Sequence, residues 1–400
     1  MAHSLQNNRF VFKSNPNAFN FTDQSFKNFP KISIRDSINS FFPVGEVYFH
    51  DQLGIIQETV YFLEGLNINL KLGNDDDGYI ENTFAWANNQ LNDTIIANNL
   101  SGNNIFIIVQ NSYFNNEQKT RSWNDTVSNV VENICTNDYQ LSSSKKFISP
   151  TTGADYFYQG NIKTSKLLKD LANQAYSQNN PKSPYYTFFN LNRDFYFMTI
   201  NEMFAQKAIN AGNPYIIGEK DDSSINPYYV QDYIIQNLGV DENFLNYKIK
   251  TYKHKSDLSI ENITLDYKDH VFKENSGKVL IRKVYQKVTR NLNLGLYDNE
   301  KDNYRFIALQ NNLYKNSALP LRMEIVVPFN PKLLAGKILE LQVESNDEVK
   351  GFSKEYSGKW LVTGTKHYGD EDSIIFSNAT IAKSSIPVDG SHPYALDFLS

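Results

Sequence analysis

Apolar residues in the first hundred or so positions recur with a period of two. The stretch "KISIRDSI" alternates Ile32 and Ile34 with polar residues and reaches Ile38, and "GEVYFHD" sets Val47 and Phe49 against Tyr48. "INLKLG" and "NIFIIVQNSYF" continue the pattern, with Pro43, Gly45 and "GNDDDG" as turn signals between them. Successive side chains of a strand point to opposite faces, so this period predicts half-buried antiparallel strands. The expected unit is a small antiparallel barrel or sandwich.

The period changes near Asn115. "NDTVSNVVENICTNDY" places Val127, Val130, Val131, Ile134 and Cys135 on one helical stripe, with Asn124 or Asp125 available as a cap. "KTSKLLKDLANQAYS" repeats the stripe through Leu167, Leu168, Leu171, Ala172 and Ala175, with Thr164 as its expected cap. "YYTFFNLNRDFYFMTI" reads as a hairpin turning over Asn190–Asp194. "NPYYVQDYIIQNLG" opens on Asn226 and Pro227 and stops at Gly239, which predicts a further helix.

Beyond 250 the chain is charged and asparagine-rich, with strand-like pieces such as "KVLIRKVYQKV", and reads as an inserted, partly exposed segment. Strands return in "RMEIVVPF", "KILELQV", "KWLVTGTKHY" and "SIIFSNATI", and "PVDGSHPYALDF" reads as an extended tail. The fold class expected is mixed α+β, mainly β. The two β regions show no common repeat.

Composition narrows the function. The chain has 400 residues, of which 40% are hydrophobic and 14% aromatic, enough for a sizeable core and more than one domain. A formal net charge of −5 argues against a basic nucleic-acid clamp. A single cysteine, Cys135, forbids an internal disulfide. The N-terminus lacks a basic segment followed by an apolar core, and no run approaches the length of a membrane-spanning helix. These features suit a protein made and used in a reducing cytosol, without stable membrane insertion.

Candidate chemistry is sparse. Aligning Gly78 with the central glycine of a calcium loop puts Asp75 and Asp77 on ligand positions. The first ligand would then be Gly73 and the last Phe84, so a solvated hairpin tip is the better reading. "EKDDSS" (219–224) and "GDED" (369–372) are runs of adjacent acids in one polar environment. Glycosidase chemistry instead needs two carboxylates set across a cleft in differing environments.

His367 is the best lone candidate for a base, with Asp370 or Ser373 nearby, yet no nucleophile elbow accompanies it. Strict alternation along "KWLVTGTKHY" puts Trp360, Val362, Gly364, Lys366 and Tyr368 on one face and Leu361, Thr363, Thr365 and His367 on the other. His50, His254, His270 and His392 lack metal-ligand spacing. Cys135 sits on the apolar stripe of its helix and reads as a small hydrophobe. No phosphate-binding loop or dinucleotide fingerprint is present. Hence no catalytic, cofactor-binding or metal residues are assigned.

Three stretches carry a resemblance. "NNRFVFK" followed by "ISIRDSINSFFPVGEVYFHD", with an R-D-S turn and a strand ending in an acid, is similar to the opening barrel of the baseplate central hub proteins of contractile-tailed bacteriophages. "YSGKWLVTGTKHY" resembles the late hub strand that runs from a tyrosine-serine-glycine turn to a histidine. "IIFSNATIAKSSIP" resembles the closing strand. The hub part of type VI secretion spike proteins is a more distant relative. The helix over 164–176 and the hairpin over 185–200 are similar to the family's α+β domain, whereas 250–317 matches nothing in it.

The resemblance implies two antiparallel β-barrel (tube) domains with an α+β domain between them and an inserted segment. The boundaries it suggests are 1–112 for the first barrel, 113–210 for the α+β domain, and 211–250 with 318–382 for the second barrel. An insert at 251–317 and a tail at 383–400 complete the chain. It further implies a structural virion protein, not an enzyme and without cofactors. That protein is a homotrimer whose six barrels form a pseudo-six-fold ring joining the tail tube to a trimeric central spike (a tail lysozyme/spike protein).

The partners implied are the central spike, tail tube and baseplate wedge proteins. DNA meets the hub only in transit through the lumen, in keeping with the acidic balance. The location implied is the virion's tail baseplate, after assembly in the host cytoplasm. Two rival readings differ in what they require. A baseplate-associated cell-wall glycosidase needs two separated acids in a cleft. A receptor-binding tail protein needs surface aromatics and a fibrous trimerisation segment, for which no heptads or repeats are seen.

Overall fold

The computed structural model describes residues 13–14, 31–51, 67–74, 78–92, 95–96, 99–100, 102–113, 115–180, 183–218, 228–237, 240–241, 248–254, 260–266, 279–282, 308, 311, 315, 319, 321–344, 353, 356–369, 375–383 and 395–396. The chain is mainly β with few helices, as expected. The N-terminal strands are β1 (Lys31–Ser37), β2 (Val44–Asp51), β3 (Asn67–Asn74), β4 (Gly78–Asn92) and β5 (Gly102–Gln110). The middle section holds β6 (Gln118–Thr126), α1 (Val127–Asn137), β7 (Lys146–Ile148), β8 (Ala154–Lys163) and α2 (Thr164–Gln174). It continues with β9 (Tyr185–Phe189), β10 (Phe195–Thr199) and α3 (Ile200–Phe204). The C-terminal strands are β11 (Tyr215–Ile217), β12 (Asp232–Asn237), β13 (Leu321–Pro328), β14 (Ile338–Val343), β15 (Gly358–Gly369) and β16 (Ile375–Lys383).

Among the described residues, twelve strands pair into one continuous sheet. Its order is Lys13–Ser14, β3, β4, β5, β2, β1, β15, β16, β13, β12. Off this path, β14 pairs with β15 and β11 lies parallel to β14. The segment at 228–237 touches two neighbours: Tyr228 and Val230 exchange backbone bonds with Ile216, while Gln231 donates to Val326. A separate hairpin joins Lys248–His254 to Ile260–Asp266.

Each region buries its own apolar set. In the C-terminal strands the inward residues alternate strictly, with Leu321, Met323, Ile325 and Val327 on β13 packed with Leu339, Leu341, Trp360, Val362, Ala379 and Ile381. In the N-terminal strands Ile32, Ile34, Leu70, Leu72, Ile80, Phe84 and Ile108 are buried. The middle section packs the stripes of α1 and α2 against Phe41, Phe42, Tyr185, Phe189, Phe195 and Phe197. A further cluster joins its outer face (Tyr186, Phe188, Tyr196, Ile200, Met203) to Ile338, Leu361 and Ala382 of the C-terminal strands.

Several local expectations shift. The α1 stripe is as read, but its N-cap is Thr126, whose hydroxyl accepts from the Asn129 amide, and not Asn124 or Asp125. In α2, Thr164 is the first helical residue and its hydroxyl bonds the Glu117 carbonyl. The Asn116 side chain, distant in sequence, receives the Ser165 amide instead. The helix expected between Pro227 and Gly239 is strand β12, antiparallel to β13. Its Tyr-Ile-Ile run favours a pleated surface, and pairing with β13 outweighs the proline and glycine punctuation. The extended β4, rich in asparagine, carries no unbroken apolar alternation that would predict it.

Candidate functional site

The sheet changes partners in the middle of β15. Residues 358–361 of β15 pair with β14, residues 364–369 pair with β1, and β16 pairs along the other edge from Leu361 to Gly369. The switch coincides with a bulge: Val362 faces Ile381 and Gly364 faces Thr380, leaving Thr363 over. The extra residue is nonetheless held on both sides. Thr363 O accepts from the Ile38 amide at 2.9 Å and the Ser37 hydroxyl at 3.2 Å, and the Thr363 hydroxyl donates to Thr380 O at 2.9 Å. A β-carbon on Gly364 would lie 3.2 Å from Asp36 O, so glycine lets β1 approach at this seam.

The bulge also revises the face assignment. Trp360 and Val362 face inward, and past Thr363 so do Thr365 and His367, opposite Ala379 and Ser377. Trp360 and His367 therefore share one face, where strict alternation had separated them. An extra residue inverts the phase of every position after it.

Asp36 lies at the end of β1, in phase with inward-facing Ile32 and Ile34, and is 3% exposed. Arg35-Asp36-Ser37 is the end of a strand and not the turn that the resemblance suggested. The Asp36 carboxylate gathers donors from two other regions. The Leu191 amide donates to Oδ2 at 3.0 Å, the Ala335 amide is shared between the oxygens at 3.2 and 3.3 Å, and the Thr365 hydroxyl donates to Oδ1 at 2.5 Å. Burial pushes its pKa up to about 6, against the opposing pull of these hydrogen bonds.

Leu191 belongs to the turn of the β9–β10 hairpin, which falls at 190–194 as expected. That turn is held from several sides. Gln110 of β5 donates to Asn190 O at 3.1 Å and Asn82 of β4 to Leu191 O at 2.5 Å. Lys145 and Lys337 reach Asp194 at 2.9 and 3.8 Å, and the Lys337 ammonium lies 5.5 Å from the Tyr196 ring centre. One turn of the middle section thus meets both sets of sheet strands, with Asp36 beneath it.

His367 is fully buried. Its Nε2 lies 3.0 Å from Leu333 O and its Nδ1 2.8 Å from the Ser377 hydroxyl. A carbonyl only accepts, so Nε2 carries the proton and Nδ1 accepts from Ser377. Burial pushes the pKa down to about 4 despite the bond to Leu333 O. Ser377 Oγ in turn accepts the Asn330 amide at 3.1 Å. Both ring nitrogens are engaged within the sheet, so this histidine holds the 330–333 turn against β15 and β16.

The other sequence candidates do not converge on His367. Asp370, Ser373 and the acids of 219–224 and 370–372 lie outside the described residues, as do His270 and His392. His50 and His254 stand in separate hydrogen-bonded pairs of strands, β2–β5 and 248–254 with 260–266. The "GNDDDG" stretch joins β3 to β4, which pair up to Asn74 and Gly78, as a hairpin tip requires; Asp75–Asp77 lie outside the described residues. Cys135 is buried on α1, where burial pushes its thiol pKa up. Among the described residues no metal-binding group of His, Cys, Asp or Glu is found, and no helix is long and apolar enough to cross a membrane.

As a whole, this arrangement of strands and helices is a fold seen in tail proteins. The 43 kDa tail protein of prophage MuSo2 from Shewanella oneidensis is similar over 95% of this chain and 99% of its own, at 12% identity and a TM-score of 0.52. The tail protein from Neisseria meningitidis MC58 is similar over 95% and 98%, at 10% identity and a TM-score of 0.54. The E. coli c3393 protein, a component of the type VI secretion system, gives a TM-score of 0.43 at 9% identity, over 93% of this chain and 77% of its own. No protein-family model and no curated protein sequence matches the chain.

Proposed function

We propose that this chain is a structural protein of a phage-type tail: a trimeric baseplate hub forming a pseudo-six-fold ring between the tail tube and a trimeric central spike. The observation that carries this reading is a shared fold with two tail proteins over 95% of the chain. In this reading the strands of 1–112 form one tube module, and those of 211–250 and 318–382 form the second. The α+β section 113–210 is braced across their seam. The second module encloses the Met323–Trp360–Ile381 cluster, and the contacts of 228–230 with β11 and of 231–237 with β13 link its two edges. Three such chains supply six modules, which matches a six-fold tube to a three-fold spike.

The chain works by architecture and without catalysis. It contacts spike, tube and wedge proteins in the virion's tail baseplate after assembly in the host cytoplasm, and DNA passes through its lumen in transit. Light scattering on the purified chain, alone and mixed with a central spike protein from the same virion, tests the reading. Three chains per particle in at least one mixture, with a six-fold ring in electron micrographs, is the expected result. A monomer under both conditions, or turnover of peptidoglycan by the chain alone, would overturn it.

A further inference from the structure

On the outer face of the seam, a cavity of about 340 Å³ opens between β1, β15, β16 and β13. Four cationic side chains line it: Arg35, Lys315, Arg322 and Lys366. Only two acids do, Glu324 and Asp36. Asp36 is already saturated by Leu191, Ala335 and Thr365, and Glu324 accepts from Gln236 at 3.2 Å.

The cations are poorly compensated. Arg35 reaches Glu46 at 3.6 Å. Among the described residues Lys315, Arg322 and Lys366 form no ion pair, and the Lys315 ammonium instead lies 4.1 Å from the Tyr186 ring centre. Arg35 and Lys366 are direct cross-strand partners. Like charges directly opposite on a sheet face destabilise it unless a counter-charge intervenes. Desolvation, with Lys169 nearby, pushes the Lys315 pKa down to about 8, as expected of an ammonium short of anionic partners.

We propose that this cavity is an oxyanion-binding site, in which Arg322, Lys366 and Lys315 receive the carboxylate or phosphate group of a ligand. Arginine supplies a planar fork suited to two oxygens, and the lysines supply point charges. The Asn378 amide and Thr380 hydroxyl, also in the lining, offer neutral donors. The same chemistry fits a free inorganic anion or the acidic side chains of another polypeptide. The proposal does not depend on the hub reading, since it rests on the lining of one chain.

The test is thermal unfolding of the full chain titrated with inorganic phosphate at constant ionic strength, and separately with hexaglutamate peptide. Wild type is compared with Arg322→Gln, Lys366→Gln and, as a control, the exposed Lys332→Gln. Phosphate stabilises proteins generally by exclusion, an effect common to all four. The site predicts an added saturable rise in wild type and K332Q, with half-saturation about tenfold weaker in R322Q and K366Q. Hexaglutamate saturating well below phosphate identifies polypeptide carboxylates as the ligand, whereas a response to phosphate alone identifies a free anion. No saturable rise in wild type, or an equal response in all four proteins, overturns the site. Lys366 is exposed on its strand, so K366Q decides the matter should R322Q fail to fold.

Discussion

Asp36→Asn is the most informative substitution, because geometry and pH make separate demands on it. The side chain receives the Leu191 and Ala335 amides and the Thr365 hydroxyl, all buried. An asparagine keeps one acceptor oxygen but turns an NH₂ group toward donors. Leaving one buried N–H unsatisfied costs about 1–3 kcal/mol. That cost is independent of pH.

The carboxyl group adds a term that does depend on pH. Its pKa rises from 3.8 to about 6 in the folded chain. Between those values the folded chain still holds the proton that the unfolded chain has released, so the unfolded state binds fewer protons and stability falls as pH rises. The contribution is fully present below pH 3.8 and is lost as pH passes through 6. The whole change amounts to about 3 kcal/mol, and an asparagine lacks it. Urea midpoints for wild type and D36N, measured from pH 4.5 to 8, should therefore converge as pH rises. The variant should be weakest relative to wild type in acid, and above neutrality only the pH-independent deficit of about 1–3 kcal/mol should remain. Parallel curves, or a gap that widens with pH, would refute the argument that burial outweighs the three donors.

His367 carries the opposite sign. Its pKa falls from 6.5 to about 4, so its stability is fully present above pH 6.5 and lost as pH drops through 4. His367→Gln should cost about 1–3 kcal/mol at pH 7.5 and less at pH 5, read from urea midpoints at the two values. Gly45→Ala should destabilise by about 1–3 kcal/mol. Its β-carbon would sit 2.8 Å from Ile108 Cγ1 and 3.0 Å from Ile34 Cγ2, and calorimetry reads the loss. Asn116→Ala removes the acceptor of the Ser165 amide at the start of α2. It should cost about 1 kcal/mol, with hydrogen exchange rising first in the opening turn of that helix.

Period-two patterns were legible wherever one face is apolar without interruption, as in Leu321, Met323, Ile325 and Val327. The stripes of α1 and α2 were legible for the same reason. Pattern reading failed where an extra residue breaks the phase. The bulge after Val362 in β15 reverses the alternation downstream, and the register of β4 shifts after Trp86. Asp36 carries a local signal: an acid on the same phase as Ile32, Ile34 and Ile38 is placed to point inward. Its donors, Leu191 and Ala335, lie 155 and 299 residues away, and no local pattern can supply them. The four-cation cavity is equally non-local, since Arg35, Arg322 and Lys366 meet only through the pairing of β1, β15, β16 and β13.

Three consecutive residues bring these elements together. Arg35 points to the outer cavity, Asp36 inward to Leu191 and Ala335, and Ser37 to the bulged Thr363 carbonyl. Apolar burial alone is non-directional and would let the two sets of strands slide against each other at modest cost. Hydrogen-bond register is discrete. Slipping β1 by one residue along β15 would turn Asp36 outward, leave the Leu191 and Ala335 amides without acceptors, and bring Arg35 into the apolar interior. The seam therefore has one strongly preferred geometry. The hub proposed above would require this of each chain, because in a ring of paired modules any angular error between the two modules is repeated at every copy.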